Sequence, residues 1–430
     1  MRRRREVTFA GGLMAIAAVA LAVRIVFTLA VAPDVRPLPE PTDAGAYHLL
    51  ANDLADGRGY IRPYDLALLN TVRPTAEYPP MFPAALSLVA RLGGDSVDAQ
   101  RLAMCVVGAG TVVLIGLLGR RVAGNGVGLL GAGLAAFYPM LFQSDAALMA
   151  ETPYAFFVTA VLLFAWRAAD RPTPARFVAL GVAIGAAALT RAEGALLVPL
   201  LVVPLAARLR DVDARRRLGF GAAAAAAAFA VVLPWTIRNY VRFDTLVPLS
   251  TNLGSALDGA NCPEMFGGPR TGLWRFSPEC FEGFLQSELA ADNEATVARE
   301  HRDEGVRYAR HHIGDVPKIM VVRWLRTFGF YDAKHQVAFE SLEWRRARWQ
   351  TLGMRTYWAL LPFAAVGTVA LVRQRRRVWP LLSMAALVSL TTVLTYGNQR
   401  FRIAAEPTLL VLAATGILVL VRRFPRRSTA

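Results

Sequence analysis

An acidic residue stands among aromatic and proline residues just after the first long apolar stretch of this 430-residue chain. Asp43 is followed by Tyr47, and a stiff turn at 77–80 contains Glu77 and Tyr78 before two prolines. A carboxylate in the first turn of a helix lies in the positive field of the helix N-terminus, which favours its ionised form. An ionised carboxylate can act as a general base toward a hydroxyl or an amine. Asp43 is therefore predicted to be a catalytic base, with Tyr47 and Tyr78 as substrate-binding side chains.

The residues around Asp43 predict a helix that lies on the membrane surface. Pro41 stops the preceding chain, and Thr42 or Asp43 can cap a helix that runs to about Asp56. Tyr47 follows four residues after Asp43, so the two side chains share one face of that helix. An equally weighted alternative is that Asp43 only caps its helix. The double-proline turn is predicted to form a wall of the substrate pocket. Its second interpretation is a connector between two interfacial helices.

The composition determines the fold class. Hydrophobic residues make up 55% of the chain, the mean hydropathy is +0.37, and the apolar residues occur in long blocks. This pattern predicts an all-α polytopic membrane protein with about ten transmembrane helices. Stretches suited to crossing about 30 Å of hydrocarbon lie at 8–32, 101–119, 123–142, 150–167, 217–237, 354–372, 378–396 and 404–421, with two shorter ones at 176–190 and 194–207.

The net charge of +16 is distributed unevenly between the segments that flank these spans. Short segments on one side of a ten-span arrangement hold 22 basic and 4 acidic residues, whereas the loop 34–98 holds 5 basic and 9 acidic ones. The loop 238–352 holds 15 of each. Because basic segments stay cytoplasmic, both termini are predicted to be cytoplasmic and both long loops extracytoplasmic. The excess charge then reports topology in a cell membrane, and no nucleic-acid partner is expected.

Three regions follow from this topology. Residues 1–240 form an N-terminal membrane module that contains the first outer loop, 34–98. Residues 241–352 form a second outer region with interfacial helices, and 353–430 form the C-terminal membrane helices. Cys262 and Cys280 both lie in the second outer region, where an oxidising compartment favours a disulfide. Two unpaired thiols are the less favoured alternative.

Further charged residues lie where predicted spans meet the outer surface. Glu151 opens an apolar helix, where an idle charge is costly, so it is predicted to support the chemistry of Asp43. Its alternative role is to complement the helix dipole. Guanidinium groups suit phosphate binding, and for any single arginine ordinary snorkelling to lipid head groups is the stronger alternative. The arginines at the outer boundary, predicted as substrate-binding, are Arg191, Arg238, Arg400 and Arg402.

The order of these motifs along the chain resembles that of the GT-C glycosyltransferases. Within them the chain looks most like the branch of the protein O-mannosyltransferases and the lipid A aminoarabinose transferase. The resemblance covers roughly 1–260 and 390–415. The matching features are an outer loop that begins with Asp43, the sequences 57–60 and 74–80, Glu151 at the start of the fourth span, the run 233–240, and 400–402 near the last span.

This resemblance implies an activity. Family members transfer a sugar from a polyprenyl-phosphate carrier to an extracytoplasmic acceptor with inversion at the anomeric carbon, and the aspartate of the first loop, here Asp43, is the base. Protein mannosyltransferases carry Asp-Glu where this chain has Asp43-Ala44, so a cell-envelope glycan or lipid is favoured over protein as the acceptor. Some GT-C enzymes use a divalent metal with paired acids. No histidine cluster or tight acidic pair occurs here, so neither a metal nor another cofactor is predicted.

Two other classes of protein remain as alternatives. A transporter or flippase for a lipid-linked or anionic solute would place its charged site near the membrane midplane, often between inverted repeats. The acids of this chain cluster at the outer boundary instead, and only the interruption at 190–194 favours transport. A non-enzymatic scaffold would leave the boundary charges without a purpose.

Overall fold

The computed structural model describes residues 2–38, 42–275, 280 and 293–423. Helices dominate these residues, and β pairing within them is limited to an isolated antiparallel bridge between Ile61 and Pro74. The prediction of an all-α polytopic membrane protein is confirmed.

The apolar helices form a bundle that spans the membrane. Among the described residues, five helices are long and apolar enough to cross a bilayer: Phe9–Ala30, Val97–Ala123, Glu151–Asp170, Ala214–Phe243 and Ala347–Arg373. Two helices bent by 51°, Asn125–Ala136 and Pro139–Ala146, form a sixth candidate. Further apolar helices that coincide with predicted spans are Pro174–Ala188, Ala192–Ala207, Trp379–Leu394 and Glu406–Arg423. Each predicted stretch coincides with one of these elements, but the count of ten spans stays a prediction.

The segment 192–207 is a broken helix, and its prolines explain why. It begins as a 3₁₀ turn at Ala192–Leu196, widens to a π turn at Val198–Val202, and ends as an α-helix at Val203–Ala207. Pro199 and Pro204 lack the backbone N–H that a regular helix would use, so the α-helical pattern of backbone hydrogen bonds cannot continue unchanged. The turn that precedes this segment contains Arg191.

The first outer loop contains the helices Asp43–Ala55, Pro63–Leu69 and Met81–Arg91. The first of them ends within one residue of its predicted end. Its apolar face was expected to lie on the membrane surface, but the structure buries Tyr47 against Tyr78 and Phe82. The prediction was wrong on this point because Tyr78 and the third helix of the loop, through Phe82, supply an aromatic partner surface.

The second outer region contains the helices Leu253–Asp258, Pro263–Phe266, Glu294–His311, Val316–Thr327 and Ala333–Ser341. Cys262 and Cys280 form the predicted disulfide. Arg323 and Arg326 are both buried, and they donate hydrogen bonds to the Ala260 and Thr271 carbonyls respectively. The division into three regions stays a prediction.

Two charged side chains fasten the first outer loop to the rest of the protein. Arg238 donates hydrogen bonds to the carbonyl oxygens of Tyr60 and Thr75 at 2.7 and 2.6 Å. The carboxylate of Glu294 accepts from the Ala76 backbone N–H at 2.9 Å and pairs with Arg62 Nε at 3.1 Å. The loop therefore has a fixed position over the bundle, and this fixes the start of its first helix.

Two glycines allow the helices Ala347–Arg373 and Glu406–Arg423 to pack at very short range. A Cβ at Gly416 would collide with the Phe363 carbonyl oxygen, and one at Gly367 with the Leu412 carbonyl oxygen. Small residues let helix backbones approach closely in a membrane, where packing drives association.

We expect Gly416→Ala to lower the free energy of unfolding by about 1–3 kcal/mol, because the added methyl group forces the two helices apart. Gly133→Ala is the matched control, since a Cβ there meets no atom within 4 Å. That control should be neutral or slightly stabilising, because alanine favours a helix over glycine. Titration with a denaturing detergent measures both, and equal midpoints for the two variants would contradict the packing argument.

Candidate active site

Asp43 is the first residue of its helix, and it does not cap it. The cap is Thr42, whose Oγ1 accepts the Gly45 backbone N–H at 3.2 Å. The Asp43 carboxylate instead accepts from the Tyr78 hydroxyl at 3.0 Å and pairs with Arg400 Nη2 at 2.9 Å. Its side chain is 30% exposed. The carboxylate is therefore both oriented by two donors and open to a ligand.

Arg400 lies in a 3₁₀ helix, Gln399–Ala404, between the last two apolar helices. The Asn398 side chain caps this turn by accepting the Arg400 backbone N–H at 2.8 Å. The guanidinium contacts Asp43 through Nη2 and Glu151 Oε1 through Nε at 2.6 Å. Burial opposes its charge, but the carboxylates of Glu151 and Asp43 hold the pKa of Arg400 well above its ordinary value. Arg400 is thus a permanent cation between two acids.

Glu151 is fully buried at the start of the helix Glu151–Asp170, and its Oε1 is shared by two arginines. Arg400 reaches it at 2.6 Å and Arg191 at 3.0 Å. Arg191 also pairs with Glu193 at 2.6 Å. A buried charge is tolerated only when it is paired and hydrogen-bonded. Glu151 therefore fixes the positions of two guanidinium groups. The predicted role as a supporting acid is not tested by this geometry.

Tyr47 and Tyr78 form an aromatic wall behind Asp43. Their ring centroids are 4.7 Å apart, and Phe82 lies equally close to Tyr47. Tyr78 is predicted to bind substrate, but its side chain is buried and directs its hydroxyl at Asp43. Burial, reinforced by the Asp43 carboxylate, raises the pKa of Tyr78 well above its ordinary value. Tyr78 therefore remains a neutral hydrogen-bond donor.

The structure does not bring Arg238 and Arg402 into this cluster. Arg238 holds the backbone of Tyr60 and Thr75, as described above. Arg402 is 1% exposed and pairs with Glu406 at 2.9 Å inside the bundle. Of the four arginines predicted to bind substrate, only Arg191 and Arg400 lie beside Glu151, and only Arg400 contacts Asp43.

Glu343 is a further member of the site that the sequence analysis missed. Its Oε1 lies 3.8 Å from Arg400 Nη1. The adjacent Trp344 donates its indole N–H to Thr42 Oγ1 at 3.1 Å, which ties this segment to the start of the Asp43 helix. Trp344 has a φ of +58°, a strained conformation for a bulky residue. The sequence signal was an acid next to a tryptophan and arginines just before the span Ala347–Arg373.

The carboxylates of the cluster face guanidinium groups rather than one another. In the part of the chain that the structure describes, no group of three histidine, cysteine or acidic side chains is placed to hold a metal ion. The expectation that the protein works without a metal or other cofactor stays a prediction.

Comparison with known structures identifies the class of fold. The chain is similar to the archaeal oligosaccharyltransferase AglB from Archaeoglobus fulgidus, with a TM-score of 0.58 at 15% identity, over 97% of this chain and 51% of that one. The fold is that of the GT-C glycosyltransferases, as the resemblance implied.

Two sequence comparisons find similar glycosyltransferases for part of the chain. Residues 77–237 match the family model described as dolichyl-phosphate-mannose-protein mannosyltransferase. The chain is also 31% identical over 206 residues to the undecaprenyl phosphate-alpha-4-amino-4-deoxy-L-arabinose arabinosyl transferase of Pseudomonas aeruginosa strain LESB58. That match covers 46% of this chain and 36% of the relative, so the chain spans about a third of its length. The family match includes Tyr78, Glu151 and Arg191 but neither Asp43 nor Arg400.

We expect Glu151→Gln to cost about 3–5 kcal/mol of stability, because it removes the buried carboxylate shared by Arg191 and Arg400, which are only 14% and 11% exposed. Asp170→Asn is the control. Asp170 lies at the other end of the same helix and also pairs with two arginines, Arg121 and Arg377, but it is 36% exposed.

The control should lose less than about 1 kcal/mol, since exposed ion pairs contribute little. Detergent titration of the purified variants compares the two losses. A Glu151→Gln variant as stable as Asp170→Asn would show that the buried cluster does not need its central charge.

Proposed function

We propose that this membrane protein is a glycosyltransferase that moves a monosaccharide from a polyprenyl-phosphate carrier to an extracytoplasmic acceptor. The observation that carries the proposal is the contact of one partly exposed carboxylate, Asp43, with Arg400, whose guanidinium is held by buried Glu151. The GT-C fold, the mannosyltransferase family match and the named undecaprenyl-phosphate-dependent relative support it.

Asp43 acts as the general base in this reaction. The acceptor hydroxyl transfers its proton to the Asp43 carboxylate while its oxygen attacks the anomeric carbon of the donor sugar. The bond from that carbon to the phosphate oxygen breaks on the opposite face, and the polyprenyl phosphate leaves with the bonding electrons. The sugar therefore inverts its anomeric configuration. The hydrogen bond from Tyr78 and the ion pair with Arg400 orient the carboxylate before substrate binds.

Arg400, with Arg191 behind it, stabilises the charge that develops on the leaving phosphate. Preorganised cations contribute most where water is excluded and no reorganisation is needed. Glu151 supplies that preorganisation because it holds both guanidinium groups through one oxygen atom. Nη1 of Arg400 is not the atom that contacts Asp43 or Glu151, and it lies 3.8 Å from Glu343 Oε1. The phosphate is expected to bind at this nitrogen, without a metal ion.

The proposed topology and the proposed acceptor rest on the sequence. With both termini in the cytoplasm, Asp43 and Arg400 face the extracytoplasmic side. The absence of an acid after Asp43 favours a glycan or lipid of the cell envelope as the acceptor. Arg191, at the interruption that favoured a transporter, pairs with Glu151 beside Arg400. This common location of the charged groups favours group transfer over transport.

We expect Asp43→Asn to reduce sugar transfer by about 10²–10⁴-fold, because an amide cannot accept the acceptor proton. Paired lipid and glycan analysis of cells that express either form measures the effect. The variant should accumulate a polyprenyl-phosphate sugar and lose one glycan or lipid decoration, which together name donor and acceptor.

Asp56→Asn is the control, since it makes the same change at the exposed end of the same helix. It should leave both profiles unchanged. If a well-expressed Asp43→Asn protein gives the wild-type profiles, Asp43 is not the base.

A further inference from the structure

The site contains more acids than bases. Four carboxyl groups surround two guanidinium groups: Asp43, Glu151, Glu193 and Glu343 against Arg191 and Arg400. If all six groups were ionised, the cluster would carry a net charge of −2, from two positive and four negative groups. A phosphate diester brings another negative charge, and like charges at close range repel strongly away from bulk water. An anionic donor therefore binds best when one of the carboxyl groups is neutral.

Three of the four acids have strong partners. Asp43 accepts two hydrogen bonds, Glu151 accepts two from arginines, and Glu193 pairs with Arg191 at 2.6 Å. Glu343 differs from them. Its closest arginine atom is 3.8 Å away, beyond hydrogen-bond range, and its buried Oε2 has no hydrogen-bond partner in the described part of the chain. Glu343 is the acid whose charge is least compensated.

The surroundings of Glu343 favour its protonated form. Asp43 and Glu151 face it from two other elements, and the cations near it are Arg400 and its neighbour Arg345. Arg345 is itself directed at Glu340 and Ser144. The hydroxyl of Tyr64, which is also nearby, donates to the Thr42 carbonyl and carries no charge. Burial first, and then the Asp43 carboxylate, raise the pKa of Glu343 to about 8.

We propose that Glu343 binds the donor as a neutral acid, with its carboxyl O–H donating a hydrogen bond to one phosphate oxygen while Arg400 Nη1 contacts another. This inference rests on the proposed polyprenyl-phosphate donor. The two groups are 3.8 Å apart, so they can reach different oxygens of one phosphate group. A carboxylate at this position would repel the phosphate. Donor binding is therefore coupled to the proton on Glu343.

This coupling predicts how affinity depends on pH. The bound phosphate favours the protonated form, so affinity is full below the pKa of Glu343 and falls as pH rises above about 8. Between pH 7 and pH 9.5 the loss for the wild-type protein should be at least about tenfold, since each pH unit above the pKa corresponds to a factor of ten.

The experiment measures binding of undecaprenyl phosphate to the purified full-length protein in lipid nanodiscs at pH 7 to 9.5. This range lies above the second pKa of a phosphate monoester, about 6, so the probe keeps nearly the same charge. Glu343→Gln mimics the neutral acid, and it should bind tightly across the whole range with no tenfold loss. Glu193→Gln also removes one carboxyl group from the cluster but should keep the pH dependence of the wild-type protein.

The outcomes separate this inference from the proposed function. Equal pH dependence in the wild-type and Glu343→Gln proteins, or its loss in Glu193→Gln as well, overturns the role of Glu343. Failure of the folded wild-type protein to bind the probe at any pH overturns the proposed donor class instead. If Glu343→Gln does not fold, Glu343→Asp takes its place. It retains a titratable group and should keep a pH-dependent affinity with a shifted midpoint, and a pH-independent affinity would contradict the proposal.

Discussion

The site depends on one buried cation. Arg400 contacts Asp43 at the start of a helix in the first outer loop and Glu151 at the start of a spanning helix, 357 and 249 residues away in the chain. Removal of such charges from water is costly, and it is repaid only where each charge has close partners in good geometry. The orientation of the Asp43 carboxylate and the compensation of the buried Glu151 charge therefore both depend on the same guanidinium group.

Arginines in similar sequence contexts perform different tasks in this protein. Arg238 and Arg400 both lie near the outer ends of apolar helices, yet Arg238 holds two carbonyl oxygens of the first loop and Arg400 holds two carboxylates. Arg326 is likewise occupied by backbone carbonyls around the disulfide-bonded segment. The carbonyl-bound arginines fix the outer loops in place. Arg400, which is bound to carboxylates, places its positive charge beside the partly exposed Asp43.

The sequence was sufficient for the parts of the fold that depend on local pattern. Hydropathy located the apolar helices, and Pro41 with Thr42 and Asp43 located the start of the first-loop helix. Pairing between distant side chains could not be read in the same way. Glu343 is one of 15 acids in a loop with as many bases, and only the tertiary fold brings it to Arg400. Whether Tyr47 would face lipid or pack against Tyr78 could not be predicted either, because Tyr78 lies more than thirty residues later in the chain.

The distance in sequence between Glu151 and Arg400 has a consequence for biosynthesis. Membrane proteins insert their helices in order as the chain emerges from the ribosome, and an unpaired carboxylate within the bilayer is expensive. Glu151 can pair with Arg191 early, but its second partner arrives only when residue 400 has been made. Until then the carboxylate of Glu151 has only one of its two arginine partners. Charge balance at the site is therefore completed only when Arg400 has been made, 249 residues after Glu151.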